Sequence, residues 1–360
     1  MGRPLHLLPK AHLHLHLTGA MRHTTLVELA RVHRVALPPA LADAWPPRLA
    51  ARDERGWFRF QRLYDIARSV LRTEDDVRRL LRETAEDEAA DGSGWLEIQV
   101  DPSGYAARFG GLTTTVELVL DAAARATAAT GVGIGVIVAA NRTKHPLEAR
   151  TLARLAAQYA GRGVIGFGLS NDEWRGVTAE FAPAFRIAAR AGLMPDPHGG
   201  ELRGPDSVRA CLDQLHARRI GHGIASARDP ELLRRLAGDG ITLEVCPSSN
   251  VALGVFSRAA EVPLPRLLEA GVPVALGADD PLLFGSRLTA QYELAAGVFG
   301  LGDAELAGLA RMSVHGSVAP GAVRARLLAS IDAWLARSPA GPPWPPAPLE
   351  PGRLPAGETG

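Results

Sequence analysis

Between Lys10 and Thr18 the chain reads Lys-Ala-His-Leu-His-Leu-His-Leu-Thr, with His12, His14 and His16 at alternate positions. Side chains of an extended strand alternate between its two faces. Ala11, Leu13, Leu15 and Leu17 therefore share one face and the three imidazoles the other. Two imidazoles near the end of one strand can aim at a single point, which is a metal-chelate geometry. The same spacing also suits polar residues that hydrogen-bond inside a barrel, and on this segment alone both readings stay open. Three more segments carry reactive side chains beside glycine or proline. Residues 197–201 supply His198 and Glu201, residues 220–223 supply His222, and residues 277–281 supply Asp279 and Asp280. Three histidines and a carboxylate suit Zn²⁺ with one position left for water. Such a metal lowers the pKa of a water ligand to roughly 7 and so provides a nucleophile at neutral pH. Glycines beside His198 and His222 let backbone and substrate approach closely.

These segments need elements to hold them. Eight apolar runs read as strands, at residues 11–17, 95–100, 132–138, 164–169, 193–198, 219–221, 241–245 and 272–277. Helical patterns lie between most of them, as at 116–129, 147–159, 179–191 and 230–237. Eight alternations predict an α/β fold, a (β/α)₈ TIM-type barrel, with a doubly wound open sheet as the alternative. In the barrel all four reactive segments fall at the C-terminal ends of strands, where barrel enzymes place their chemistry. Strand five is the least regular, because Pro195 and Pro197 each remove a ladder donor. A helical insertion, about 21–94, separates strands one and two. It reads as a helix near 25–33, a Pro/Ala-rich loop, and helices from 57 to about 91. Trp57, Phe58, Phe60, Leu63 and Tyr64 gather apolar rings there. They pack on the barrel rim or form a lid over the strand ends, and in the second case Phe58 and Phe60 meet the substrate. One domain is expected over 1–337. The tail, 338–360, holds eight prolines and four glycines in 23 residues, cannot pack a core, and is expected to be disordered or to run over the surface.

Composition narrows the partners. Of 360 residues, 40 are basic and 39 acidic, a net charge of +1 that leaves no electrostatic footprint for nucleic acid or an anionic membrane. Apolar residues at 46% and charged ones at 22% are globular usage. Cys211 and Cys246 are too few for a disulfide framework and fit a reducing compartment. Residues 1–8 lack the apolar core of a signal peptide, and no run reaches about 18 apolar residues. A cytoplasmic protein with neither nucleic-acid nor membrane partner is expected, and the sequence does not set its oligomeric state. Cys246 reads as a buried small hydrophobe. The histidines at 6, 23, 33, 145, 216 and 315 read as structural or solvated.

Taken in order, residues 9–20, 198–201 (His-Gly-Gly-Glu), 219–223 (Arg-Ile-Gly-His-Gly), 243–250 (Leu-Glu-Val-Cys-Pro-Ser-Ser-Asn) and 279–281 (Asp-Asp-Pro) resemble the adenosine deaminase family of the amidohydrolase superfamily. The likeness runs from about residue 9 to 318. It implies that His14, His16, His198 and Asp279 bind one zinc ion or another divalent transition metal. It implies further that Glu201 gives a proton to purine N1, that His222 positions or deprotonates the attacking water, and that Asp280 contacts N7. A carboxylic acid in a closed apolar site can stay protonated for such a task. The H-x-E…P-C-x-x-C signature of cytidine-type deaminases is absent. Other positions depart from the family. Thr18 stands where an Asp contacts the ribose 5′ end, and Gln99 stands where Glu-x-Arg is usual. Asn171 replaces a Gly whose backbone lies near purine N3. His12 takes the place of a Glu and reads as a buried layer residue, and Met312 stands where Asn is common. Residues for chemistry are kept and those on the sugar side, Thr18, Gln99 and Asn171, are changed. The expected activity is zinc-dependent hydrolytic deamination of a 6-aminopurine nucleoside or modified adenosine, with that small molecule and water as partners. One alternative is the same chemistry on free adenine or another amino-heterocycle. A non-catalytic metal-binding barrel is the alternative of another class, and intact Glu201, His222, Asp279 and Asp280 speak against it.

Overall fold

A computed structural model describes residues 3–49 and 53–337. Its eight strands are β1 (Lys10–His16), β2 (Ser93–Val100), β3 (Gly133–Asn141), β4 (Val164–Ser170), β5 (Met194–Gly199), β6 (Arg219–His222), β7 (Thr242–Val245) and β8 (Val274–Leu276). They lie side by side in chain order, each parallel to the next. A bridge between Leu15 and Asp279 brings the last strand back to the first. There the His16 amide donates to Asp279 O at 3.0 Å and the Asp279 amide to His14 O at 3.0 Å. The architecture is a (β/α)₈ TIM barrel, not an open sheet. Strand residues such as Ile98, Val138, Leu243 and Leu276 are fully buried.

Prolines set where several helices start. Pro205, Pro230, Pro247 and Pro281 each open a helix after the end of a strand. Proline suits the first helical position because its φ is already helical and its missing N–H would be unpaired there anyway. The connection after the strand is thereby kept short: His198 and His222 sit at strand ends, and Glu201, Asp279 and Asp280 on the turns that follow. β5 keeps its place despite its two prolines: Pro195 and Pro197 are in register with Phe167 and Leu169 of β4, the Pro195 carbonyl accepts the Arg218 amide at 3.1 Å, and the ladder to β6 is confined to His198 and Gly199. β8 is shorter than its apolar run predicts.

Four helices fill the insertion: α1 (His23–Val32), α2 (Pro39–Ala42), α3 (Glu54–Ser69) and α4 (Glu74–Ala90). Thr73 and Asp76 form a capping box at the start of α4, a motif whose cap is worth about 1 kcal/mol. α3 lies over the strand ends. Its Trp57 and Phe60 are buried, and the Phe60 ring stacks on Phe284 at 5.9 Å between centroids. Phe58 is 68% exposed on the far side of the same helix. The expected tail, 338–360, lies outside the described residues. Among the described residues no helix is long and apolar enough to cross a membrane.

Candidate active site

The ends of β1 and β5 and the turn after β8 bring four groups that could bind a metal together. Ligating atoms of His14, His16 and His198 lie within 4.8 Å of one another. His16 Nε2 is 3.2 Å from His198 Nε2 and 3.2 Å from Asp279 Oδ1, and His14 Nε2 is 3.4 Å from the same oxygen. His14 Nε2 is buried without a hydrogen bond in the protein. Imidazole nitrogens that face one another and a carboxylate, instead of hydrogen-bond partners, are a donor set that fits a divalent transition metal. The other nitrogen of His14 donates to Glu244 Oε2 at 2.6 Å, which fixes the ring so that Nε2 faces the cluster. Asp279 is held by the Ser249 hydroxyl, which donates to Oδ2 at 2.5 Å. Burial opposes its charge, but the imidazoles of His14 and His16 facing it outweigh this and hold the carboxyl well below its ordinary value.

Two further groups complete an acid and a base. His222 Nε2 is 3.6 Å from Glu201 Oε1 and 4.0 Å from Asp279 Oδ2. Burial pushes His222 down to about 3 and raises the Glu201 carboxyl well above its ordinary value, helped by the charges of Asp279 and Glu173. The first is therefore a neutral imidazole at neutral pH, and the second is shifted toward its protonated form. Asp280 is raised in the same way, by burial first and Asp279 second. Both His222 and Asp279 sit at φ 62°, a region costly for residues with a side chain and common where function demands it. Glycine is required twice here. A Cβ on Gly19 would overlap the Asp280 carboxylate, and one on Gly221 would come within 2.9–3.0 Å of the His14 and His198 rings.

His12, on the same strand, is occupied elsewhere. Its Nδ1 donates to Glu88 Oε1 at 2.8 Å and its Nε2 accepts the Ala278 amide at 3.0 Å. Cys246 is buried, which pushes its thiol well up.

On the substrate side the structure redraws several expectations. One cavity is lined by His16, His198, Glu201, His222, Asp279 and Asp280, and by Phe60, Gln99 and Asn171 on the other wall. Phe58 does not reach it, because it points to the far side of α3. Thr18 is fully buried, and its Oγ1 is 2.5 Å from the Tyr105 hydroxyl, so a phenol stands between it and the cavity. Asn171 does line the cavity, but its amide is used as a latch. Its Nδ2 donates to Gln61 Oε1 at 2.9 Å and its Oδ1 accepts from Trp57 Nε1 at 3.3 Å, both on α3. Gln99 is the one of the three with an unengaged side chain: neither amide atom has a partner in the protein.

Sequence reasoning missed the residues that hold the reactive groups. Glu173 accepts the backbone amides of Gly200, Glu201, Leu202 and Arg203 at 2.5–3.1 Å, and so shapes the turn that carries Glu201. Glu244 orients His14. Below it, the fully buried Arg219 pairs with Glu97 at 2.5 Å, Asp196 at 3.1 Å and Glu244. A carboxylate inside a short apolar strand was the available signal for Glu97 and Glu244, since such a charge needs a partner. Tyr64, Arg68 and Tyr105 also line the cavity.

The chain matches the adenosine deaminase family model over residues 9–334. A Streptomyces virginiae protein, provisionally named adenosine/adenine deaminase, is 64% identical over 334 residues, covering 93% of this chain and 98% of its own. Among solved structures, adenine deaminase from Arthrobacter aurescens has a TM-score of 0.84 and 31% identity, covering 91% of this chain and 99% of its own. An amidohydrolase from Burkholderia ambifaria, with bound Zn, has a TM-score of 0.81 and 26% identity, covering 92% of each chain.

Proposed function

The chain belongs to the adenosine deaminase family and is a metal-dependent deaminase; from that premise we propose that it hydrolyses the exocyclic amine of a 6-aminopurine substituted at N9, with one zinc ion held by His14, His16, His198 and Asp279. Bound there, zinc lowers the pKa of a water toward 7 and makes a nucleophile available at neutral pH. His222, neutral and beside Asp279, would accept a proton from the attacking water. Glu201 donates its proton to the ring nitrogen next to the amino-bearing carbon, which draws electron density from that carbon as it is attacked. Asp280 donates to the five-membered ring and fixes its orientation. His222 then gives its proton to the amine, the carbon–nitrogen bond breaks to release ammonia, and the proton left on the added oxygen passes to the Glu201 carboxylate, restoring the acid and leaving a carbonyl oxygen on the purine.

The observation that carries this reading is the placing of Glu201 and His222, 3.6 Å apart, beside the convergent donor set. A barrel that only bound metal would need neither group. A purine substituted at N9 is favoured because the cavity continues beyond the metal cluster to Arg68, Asp101 and Tyr105. Free adenine is the second reading. It is favoured by the sealing of Thr18 behind Tyr105 and by the 31% identical structure, itself an adenine deaminase.

The test is ammonia release from adenine, adenosine, 2′-deoxyadenosine and 5′-substituted adenosines, before and after chelation and with zinc restored. Release that stops on chelation and returns with about one zinc per chain is expected. Full turnover by metal-free protein would sink the zinc assignment. No ammonia from any aminopurine would sink the function, and the highest kcat/KM on adenine would select the second reading.

A further inference from the structure

Strand order places β2 across the barrel from β6, which carries His222. The cavity wall over the end of β2 is built from Tyr64 and Arg68 of α3 together with Gln99, Asp101 and Tyr105. Arg68 is held in an unusual setting for a surface-helix arginine. Its side chain is only 18% exposed. Its guanidinium carbon lies 5.8 Å from the Tyr64 ring centre and 5.7 Å from that of Tyr105, so two phenol rings flank it. It lies against the backbone of Gly104, where a Cβ would overlap its Nη1. Its one carboxylate partner is Asp65, a turn back on the same helix and half exposed.

Asp101 adds to the negative charge around it, but forms no ion pair with it among the described residues. Arg108 donates its Nη1 to the Arg68 carbonyl at 3.0 Å, and among the described residues no ion pair joins Arg108 to a carboxylate. Burial and then the charge of Arg68 push the Arg108 guanidinium below its ordinary value. Asp101, the acid in this wall, already accepts the Ser103 amide at 3.0 Å and the Ser103 hydroxyl, to which Lys144 also donates. Burial raises the phenols of Tyr64 and Tyr105, so both stay protonated as donors. Thr18, tied to the Tyr105 hydroxyl at 2.5 Å, is neutral. A carboxylate in its place would put a negative charge against this wall; the threonine leaves the wall with donors and positive charge.

We propose that Arg68, flanked by Tyr64 and Tyr105, binds an anionic oxygen group, carboxylate or phosphate, at the far end of the substrate's N9 substituent. This rests on the reading of the cavity as an aminopurine site. A guanidinium presents parallel N–H donors that match either oxyanion, and such charge-assisted bonds are the strong kind. Arg68 is then a specificity-determining residue that has no part in the chemistry. Preference for an anionic over a neutral tail should be roughly 10- to 100-fold in kcat/KM, the scale of hydrogen bonds to a charged group.

The experiment compares adenosine, adenosine 5′-monophosphate and adenosine 5′-carboxylate on the zinc-loaded wild type, Arg68→Gln and Arg68→Lys. The ratio of anionic to neutral kcat/KM should exceed about 10 in the wild type, fall to about 1 in Arg68→Gln, and be partly kept in Arg68→Lys, whose point charge lacks the fork. Preference for the phosphate or for the carboxylate identifies the source of the anion. A wild-type ratio near 1, an unchanged ratio in Arg68→Gln, or an equal loss on all three substrates would each overturn the proposal while leaving deamination standing. Dissociation constants for inosine and inosine 5′-monophosphate are measured in parallel and do not depend on turnover. If no aminopurine releases ammonia, the deaminase reading fails. The binding ratio then decides Arg68 by itself: a monophosphate preference lost in Arg68→Gln supports it and no preference overturns it.

Discussion

The two walls of the cavity are held by different kinds of contact. The wall of β1, β5, β6 and β8 carries the groups proposed to bind metal and move protons, and these are fixed by backbone and buried charge. His14 and His16 are stitched to Asp279 through main-chain hydrogen bonds of 3.0 Å. Glu244 clamps His14, Arg219 ties Glu244 to Glu97 and Asp196, and Glu173 collects four amides of the Glu201 turn. The wall of β2, β4 and α3 is held by neutral side-chain contacts: Asn171 to Trp57 and Gln61 of the inserted helix α3, Phe60 of α3 on Phe284, and Thr18 to Tyr105. Groups that act on reacting atoms must be placed within about 0.5 Å and are locked by their supporting contacts. Groups that select a substrate can be exchanged one at a time, since each exchange disturbs only its own neighbours. Gln99 and Asn171 lie in the second wall, and Thr18, which follows β1, is tied to that wall through Tyr105.

The largest effects should come from the first wall. Glu201→Gln keeps the size of the side chain but cannot give up a carboxylic proton. A loss of roughly 10²–10⁴-fold in kcat is expected, with metal content by elemental analysis unchanged. Unaltered turnover would assign Glu201 to structure and remove the acid from this wall. Next, Glu244→Gln leaves His14 with a weaker acceptor. Metal affinity should fall about 10- to 100-fold, the usual cost of losing a ligand's hydrogen-bond partner, read by competition with a chelator. An equal affinity would mean that the main-chain bridge to Asp279 alone holds the site. Glu173→Gln strips the charge from four amides and should lower kcat by about 10- to 100-fold through misplacement of Glu201, with KM changed less. A fall in melting temperature with kcat intact would make Glu173 a stability residue only.

The same division explains what could be read from the sequence. Ligands and proton carriers have few chemical choices, so His14, His16, His198, Glu201, His222, Asp279 and Asp280 stand out by type beside glycines at strand ends. The barrel was legible because its strands are apolar runs with prolines and glycines between them. Residues that touch through the fold were not. Glu173 lies 27–30 positions before the amides it holds. Thr18 looked like a substrate contact because Tyr105, 87 positions later, is invisible from its neighbourhood. Phe58 was placed at the cavity by its company of aromatic residues, but helix phase decides. Trp57, Phe60 and Tyr64, spaced by three and four, share the cavity face, and a residue one step from Trp57 is turned about 100° away.

The smallest effect, and the one that tests the second wall most directly, is expected at Asn171. Its φ is 79°, in the left-handed region, where glycine is at no disadvantage and asparagine is tolerated. Asn171→Gly therefore relieves the backbone while deleting two hydrogen bonds to α3, from Trp57 and to Gln61. Each such bond is worth about 1 kcal/mol, and the backbone gain offsets part of the loss, so global stability should shift by about 1 kcal/mol or less. The local consequence is larger than the global one, because those bonds join α3 to the end of β4 across the cavity. Among the described residues the remaining polar side-chain tie between them is the exposed Glu54–Arg175 pair at 2.6 Å, and exposed pairs contribute little. Substrate would then have to order α3 on binding. KM should rise by roughly three- to tenfold, the equivalent of about one hydrogen bond, with a smaller change in kcat. Steady-state kinetics beside a thermal melt, with Trp57 fluorescence reporting the helix, separates the two outcomes. If KM stays put, the Phe60–Phe284 stack alone fixes α3, and the wall that selects the substrate is as rigid as the wall that transforms it.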